Sequence, residues 1–170
     1  MAELITFEGK TPIVHPRAFL ASTAVLIGDV TVEAEASIWF GAVLRADFGP
    51  IRIGPGTSIQ DNCVIHAETG EGAVIGARVT VGHGAILHNC WIGPSCLIGM
   101  NAVVLDHARI GARSLVAAGA VVRERFECPP GMLVVGAPAV VKQPIAGRSA
   151  DWIDRAAEDY IGLIARYRKG

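Results

Sequence analysis

From residue 53 onward, aliphatic side chains recur every six positions. Ile53, Ile59 and Ile65 are followed, after an insertion around Glu68–Gly72, by Ile75, Val81 and Leu87. One residue short of the next repeat the series resumes with Ile92, Ile98, Val104, Ile110, Val116 and Val122. All twelve positions are aliphatic, and the fifth place of the unit is mostly small: Thr57, Cys63, Ala85, Cys96, Ala102, Ala108, Ser114 and Ala120. An earlier stretch reads IGDVTV, EAEASI, WFGAVL from Ile27 and slips across Arg45–Pro50. A period of six fits neither an amphipathic helix nor a half-buried strand. It fits an all-β solenoid, a parallel β-helix in which each hexapeptide forms one flat side and one corner of a triangular prism. The aliphatic residue points inward and the small one lets the chain turn. Three hexapeptides complete a coil, and coils stack roughly 4.8 Å apart.

The ends depart from this rhythm. Residues 1–20, with Pro12 and Pro16, read as an irregular entry. After Val122 the period dies in RERFECPPGM, and LVVGAPAVV reads as one last strand-like segment and a turn, ended by Pro144. From Ser149 the spacing becomes helical: Trp152, Ala156, Tyr160, Leu163, Ile164 and Tyr167 make one apolar face. Ser149 is the expected cap, and Asp151 and Asp154 suit the first turn. The division expected is a β-helix over 1–145 and an amphipathic helix over 146–170 that covers one side of the prism.

Composition narrows the class further. The chain has 170 residues, 51% hydrophobic and 18% charged, with a net charge of −1 and both signs mixed, which fits a folded domain and gives no basic surface for nucleic acid or an anionic membrane. No run of about 18 apolar residues offers a membrane span. MAELITFEGKTP has no basic stretch leading into an apolar run, and Cys63, Cys90, Cys96 and Cys128 have no CxxC spacing. Reduced thiols and a cytoplasmic location are the expectation.

Candidate chemistry lies between Asp61 and Cys90. His66 is the second residue of the unit beginning at Ile65, and His88 the second of the unit beginning at Leu87. Both fall on the third side of successive coils, about 5 Å apart at the backbone, a separation from which two imidazoles can share one ion. His83 is the third residue of the preceding side and points from another face. A neighbouring subunit, in a prism trimer around a threefold axis, could bring it to the same ion. Three neutral nitrogens hold Zn²⁺ and leave a fourth position for water, whose pKa falls to about 7. Arg45 and Asp47 in the slip, with Asp61 before His66, predict an ion-pair network at a subunit contact, and Gln60, on the same repeat as Asp61, is placed to orient water or substrate. Glu68, two residues past His66, is a candidate proton acceptor.

Arg45-Ala46-Asp47, Gln60-Asp61-Asn62, Ile65-His66 and Val81-Gly82-His83-Gly84 through Leu87-His88-Asn89-Cys90 together resemble the γ-class carbonic anhydrase family. The resemblance covers about residues 11–168 and implies a left-handed β-helix with a C-terminal helix, assembled as a homotrimer. It implies His66, His83 and His88 as ligands of Zn²⁺ (Fe²⁺ or Co²⁺ being the other metals considered), with His83 donated across the interface. Arg45, Asp47 and Asp61 then resemble subunit-contact and bicarbonate-associated residues. Gln60 resembles the glutamine beside metal-bound water, and Tyr160 a tyrosine lining the site. The activity implied is reversible hydration of CO₂ to bicarbonate. The insertion after His66 is short, so Glu68 or Glu71 would have to carry the proton, and Ser58 stands where the founding enzyme has asparagine. The same prism also serves hexapeptide-repeat acyl-CoA transferases, where His83 or His107 would be the base. Further alternatives are a thioesterase-like hydrolase and a metal-stabilised structural trimer.

Overall fold

The structure is a computed structural model, and it describes residues 1–169. The aliphatic rows of the sequence form the inside of a left-handed parallel β-helix, as expected. Ile53, Ile59, Ile65, Val81, Leu87, Ile92, Ile98, Val104, Ile110, Val116 and Val122 are fully buried, with Ile75 all but so. The short strands that carry them pair in parallel, coil upon coil. One side stacks seven such strands, Phe19–Leu20, Ser37–Ile38, Ser58–Ile59, Thr80–Val81, Leu97–Ile98, Leu115–Val116 and Met132–Gly136. The small fifth-place residues Cys63, Ala85, Cys96, Ala102 and Ala108 are buried at the corners. Burial pushes the thiol of Cys63 up to about 11 and those of Cys90 and Cys96 to about 12, so they act as neutral packing groups.

The N-terminal frame differs from the expectation by one residue. The inward series is Leu26, Val32, Ile38 and Leu44, whereas Ile27 is only partly buried. The entry is not irregular either, since Glu3–Ile5 and Ile13–Val14 both pair in parallel with the strand Val25–Val32. The apparent slip at Arg45–Pro50 is a single long strand, Val43–Ile53, that replaces a corner and joins two sides of the prism. It pairs with Val25–Val32, and the register shifts between Gly28 and Val30. A side chain at Gly28 would place Cβ 2.4 Å from the carbonyl oxygen of Ala46, at φ 75°, so only glycine passes there. At the far end, the single strand expected is instead an antiparallel hairpin, Met132–Gly136 with Ala139–Pro144, which caps the last coil.

The helix runs Arg148–Tyr167 and begins one residue before Ser149. Gly147 occupies the cap position and no side chain caps it, so Ser149 lies inside the first turn. Asp151 is in that turn, whereas Asp154 lies beyond it and accepts a 2.8 Å bond from Arg113. The buried stripe is Ile153, Ala156, Ala157 and Ile164, rotated from the expected face, with Trp152 57% exposed. The rotation follows from what the stripe meets: Ile153 and Ala156 pack on Leu97 and Leu115, the outward residues of the seven-strand side. Farther along, Trp39 meets Tyr160 and Tyr167 at ring separations of 5.5 and 5.2 Å. None of the described helical residues forms a span long and apolar enough to cross a membrane.

The three outer faces therefore differ. The helix covers one. A second presents Thr31, Arg52, Val74, Trp91, Arg109 and Glu127 in register. The third carries an unbroken outward column, Val25, Val43, Val64, Ile86, Val103 and Val121, of which Val64 and Ile86 are exposed among the described residues.

Candidate functional site

Beside the aliphatic column runs a polar one. Arg45, His66 and His88 are register partners on three successive coils. The imidazoles face each other, with His66 Nδ1 and His88 Nε2 3.0 Å apart. Their other ring nitrogens each meet a carboxylate: His66 Nε2 lies 2.9 Å from Asp47 Oδ1, and His88 Nδ1 lies 3.0 Å from Asp106 Oδ1. Arg45 closes the row by donating to Asp47. Burial pulls the Asp47 carboxyl upward, but the bonds from His66 and Arg45 outweigh it and hold it below the ordinary value. A carboxylate oxygen accepts, so each imidazole spends its N–H outward and turns a lone pair toward the other. Two lone pairs at this distance repel unless a proton or a cation lies between them. His66, Glu68 and His88 each place a donor atom within 4.8 Å of the others. Two imidazole nitrogens and a carboxylate form a donor set suited to Zn²⁺.

His83 is on a different part of the prism, as its register requires, and it is absent from that donor group. Its ring is half exposed, with Nδ1 2.8 Å from Asp61 Oδ2, and its backbone N–H donates to Gln60 Oε1 at 3.2 Å. Gln60 is thereby fixed beside His83. The pair borders a groove of about 250 Å³ between the prism and the helix, walled by Leu97, Leu115, Val116, Met100 and Trp152 and reached by Tyr160. Burial and then the charges of Asp61 and Asp159 push the Tyr160 phenol above its ordinary value, so it stays a neutral donor.

The expected network thus resolves into two clusters. Arg45, Asp47, Glu68, His66 and His88 gather on the uncovered face; Gln60, Asp61, His83 and Tyr160 gather at the groove. Glu71 joins neither, being bonded to Arg109 at 3.0 Å, and Ser58 is buried under the Trp39 indole. His107 is exposed at a corner beside Trp91 and Arg109, with no carboxylate partner among the described residues. Asp106 escaped the sequence reading, although it follows His88 by 18 residues, one coil along. Thr80 escaped it too, and the sequence puts Trp152 on the helix's apolar face without placing it at a groove, because nothing in a hexapeptide pattern says which side a terminal helix will cover.

Stacked hexapeptides closed by a helix, with histidines on the seams, define a β-helix of the hexapeptide-repeat class. Residues 89–124 match the family model described as bacterial transferase hexapeptide (six repeats). The carnitine operon protein CaiE of Salmonella agona is 40% identical over 164 residues, covering 96% of this chain and 83% of the relative, and that of a Proteus species is 38% identical, covering 98% and 85%. This chain belongs to that family of CaiE relatives. Two solved structures match it nearly end to end. A hexapeptide transferase family protein from Anaplasma phagocytophilum has a TM-score of 0.93 at 39% identity, covering 97% of this chain and 98% of the other. A Bacillus cereus protein described provisionally as an acetyltransferase has a TM-score of 0.96 at 34% identity, covering 99% and 98%.

These findings correct the expected reaction. Carbonic anhydrase activity, with CO₂ and bicarbonate as substrates, does not stand, because the relatives that span the chain are carnitine operon proteins and its full-length structural counterparts are described as transferases. The physical lesson is that the γ-class resemblance rests on a scaffold and a histidine pattern, and one scaffold hosts several chemistries.

Proposed function

We propose that this protein is an acyl transferase that uses an acyl-CoA thioester, with His83 as general base. The observation that carries the reading is the 2.8 Å contact between His83 Nδ1 and Asp61 at the mouth of the groove. Asp61 keeps the proton on Nδ1 and so leaves Nε2 as the acceptor. An acceptor hydroxyl or amine gives its proton to Nε2 as its oxygen or nitrogen attacks the thioester carbonyl. Collapse of the tetrahedral intermediate breaks the C–S bond, and the leaving thiolate takes the proton back from His83. Tyr160 supplies a neutral hydroxyl donor beside the groove. The transferase descriptions of the structural relatives support this class.

A second assignment concerns the facing imidazoles. Their opposed lone pairs favour a divalent cation, Zn²⁺ foremost and Fe²⁺ or Co²⁺ next, held by His66, His88 and Glu68. Such an ion supplies fixed positive charge at the seam. The uncovered aliphatic column favours assembly as a homotrimer, and a neighbouring copy's equivalent of His83 is then a candidate fourth ligand. Both roles of His83 need the same atom, Nε2, so one experiment separates them. Thiol release from acyl-CoA in the presence of small hydroxyl and amine acceptors, measured alongside metal content, is the test. As a general base, His83→Ala lowers release about 10²–10⁴-fold and keeps its metal, while His66→Ala loses the metal. If His83→Ala leaves thiol release unchanged, the transferase assignment of His83 is wrong; if it also loses metal, Nε2 is a shared ligand.

A further inference from the structure

The outward column beneath the helix changes character at one residue. Ser37, Ser58 and Thr80 are register partners, followed by Leu97, Leu115 and Leu133. The first two hydroxyls share the indole N–H of Trp39, which lies 3.0 Å from each. Thr80 Oγ1 has no hydrogen-bond partner among the described residues, although Thr80 is only 5% exposed. Burying a hydroxyl without a hydrogen bond destabilises the fold, because the bond it made to water is not replaced. Valine has the same shape and would avoid that cost. Thr80 is also one of the residues lining the groove that holds Gln60, His83 and Tyr160 at its polar end, and its hydroxyl lies sealed just beneath that lining.

From that end the groove continues along the prism, past the rungs of Leu97 and Leu115. Two coil steps give it about 10 Å of apolar length. Its walls there are the apolar side chains of Leu97, Met100, Leu115, Ala118 and Trp152, and Asp159 of the helix is the charged residue of the lining. An acetyl group fills little of this space. We infer that the groove under the helix binds the aliphatic chain of an acyl thioester longer than acetyl, with the Thr80 hydroxyl donating to the thioester carbonyl. Thr80 is then a specificity-determining residue, and the Leu97–Leu115 rungs and Trp152 set the chain length accepted. The inference deepens the transferase reading and rests on it for the identity of the ligand.

Binding is measured by calorimetry on the full-length His83→Ala protein, so that turnover does not confuse the result, with hexanoyl-CoA, acetyl-CoA and free CoA as probes. Hexanoyl-CoA should bind at least tenfold more tightly than acetyl-CoA. Adding Thr80→Val should weaken hexanoyl-CoA about three- to tenfold, the range of one neutral hydrogen bond, while raising the thermal midpoint because the orphan is gone. Adding Ala118→Phe, which fills the groove from an exposed corner, should erase the preference for hexanoyl over acetyl and leave free CoA binding intact. Equal affinity for hexanoyl- and acetyl-CoA overturns the inference, as does a Thr80→Val protein that gains stability without losing affinity. Because these readouts are binding and melting, a protein that transfers no acyl group but prefers hexanoyl-CoA would sink the catalytic role of His83 and leave the groove assignment standing.

Discussion

At the residue scale, the two histidine clusters illustrate how a carboxylate decides what an imidazole can do. Asp61 frees one nitrogen of His83; Asp47 and Asp106 turn His66 and His88 toward each other. The same logic, applied to a different carboxylate, gives a stability prediction. Asp29 sits at the register shift of the long strands, where Arg52 bonds it at 2.7 Å and Lys10 at 3.1 Å. The Arg52 bond, working against partial burial and joined by Lys10, holds its carboxyl below the usual 3.8. A carboxyl with a depressed folded-state pKa stabilises the fold fully above its unfolded-state value and loses that contribution as pH falls through the lower, folded-state value. Asp29→Asn should therefore reduce stability at pH 7 and make it less sensitive to acid below about pH 4. Urea denaturation at pH 7 and pH 3 checks both; equal losses at the two pH values would contradict it.

At the element scale, the long strand Val43–Ile53 matters most, because it carries Arg45 and Asp47 to the histidine row and then turns under the loop that bears Glu68. The contact is intimate. A Cβ added at Gly49 would lie 1.8 Å from the carbonyl oxygen of Glu68. Gly49→Ala should cost about 1–3 kcal/mol through this overlap and should lower metal occupancy by displacing Glu68. Gly119→Ala is the comparison, since a Cβ there meets nothing within 4 Å, although its φ of 69° adds strain. Denaturation and metal analysis of the two variants separate steric from conformational cost. The helix is held differently. Its ion pairs, Arg78 with Glu158 and Arg113 with Asp154, are exposed and contribute little. Burial of Ile153, Ala156 and Ile164 and the rings around Trp39 hold it in place.

At the scale of the whole molecule, a solenoid's stability is a sum over neighbouring coils, and an outward aliphatic column running through six successive coils needs another explanation. The Val25–Val121 column satisfies no requirement of the single prism. Assembly through it should give a particle of three times 17.8 kDa. Val64→Glu combined with Ile86→Glu places charge on the two most exposed members of the column, 39% and 43% accessible. Light scattering should then find the mass of one chain with the β-structure of each prism retained, because both residues point away from the interior. A wild-type protein that is monomeric at micromolar concentration would contradict the assembly.

The sequence by itself determined the solenoid, because an inward aliphatic residue every six positions can be buried together only if the chain coils at that period. It also placed His66 above His88 and kept His83 away from them, since register follows from counting. The first coils were misframed, because Val25–Val32 and Val43–Ile53 are extended through places where a corner was expected, and alternation inside a long strand hides the period of six. Tertiary structure decided what counting could not. The side covered by the helix, the carboxylate facing each imidazole, and the stranding of Thr80 without a partner all depend on side chains that meet across coils and across the helix. No residue's place in its own hexapeptide specifies its neighbour from another element, and the groove exists only where those elements meet.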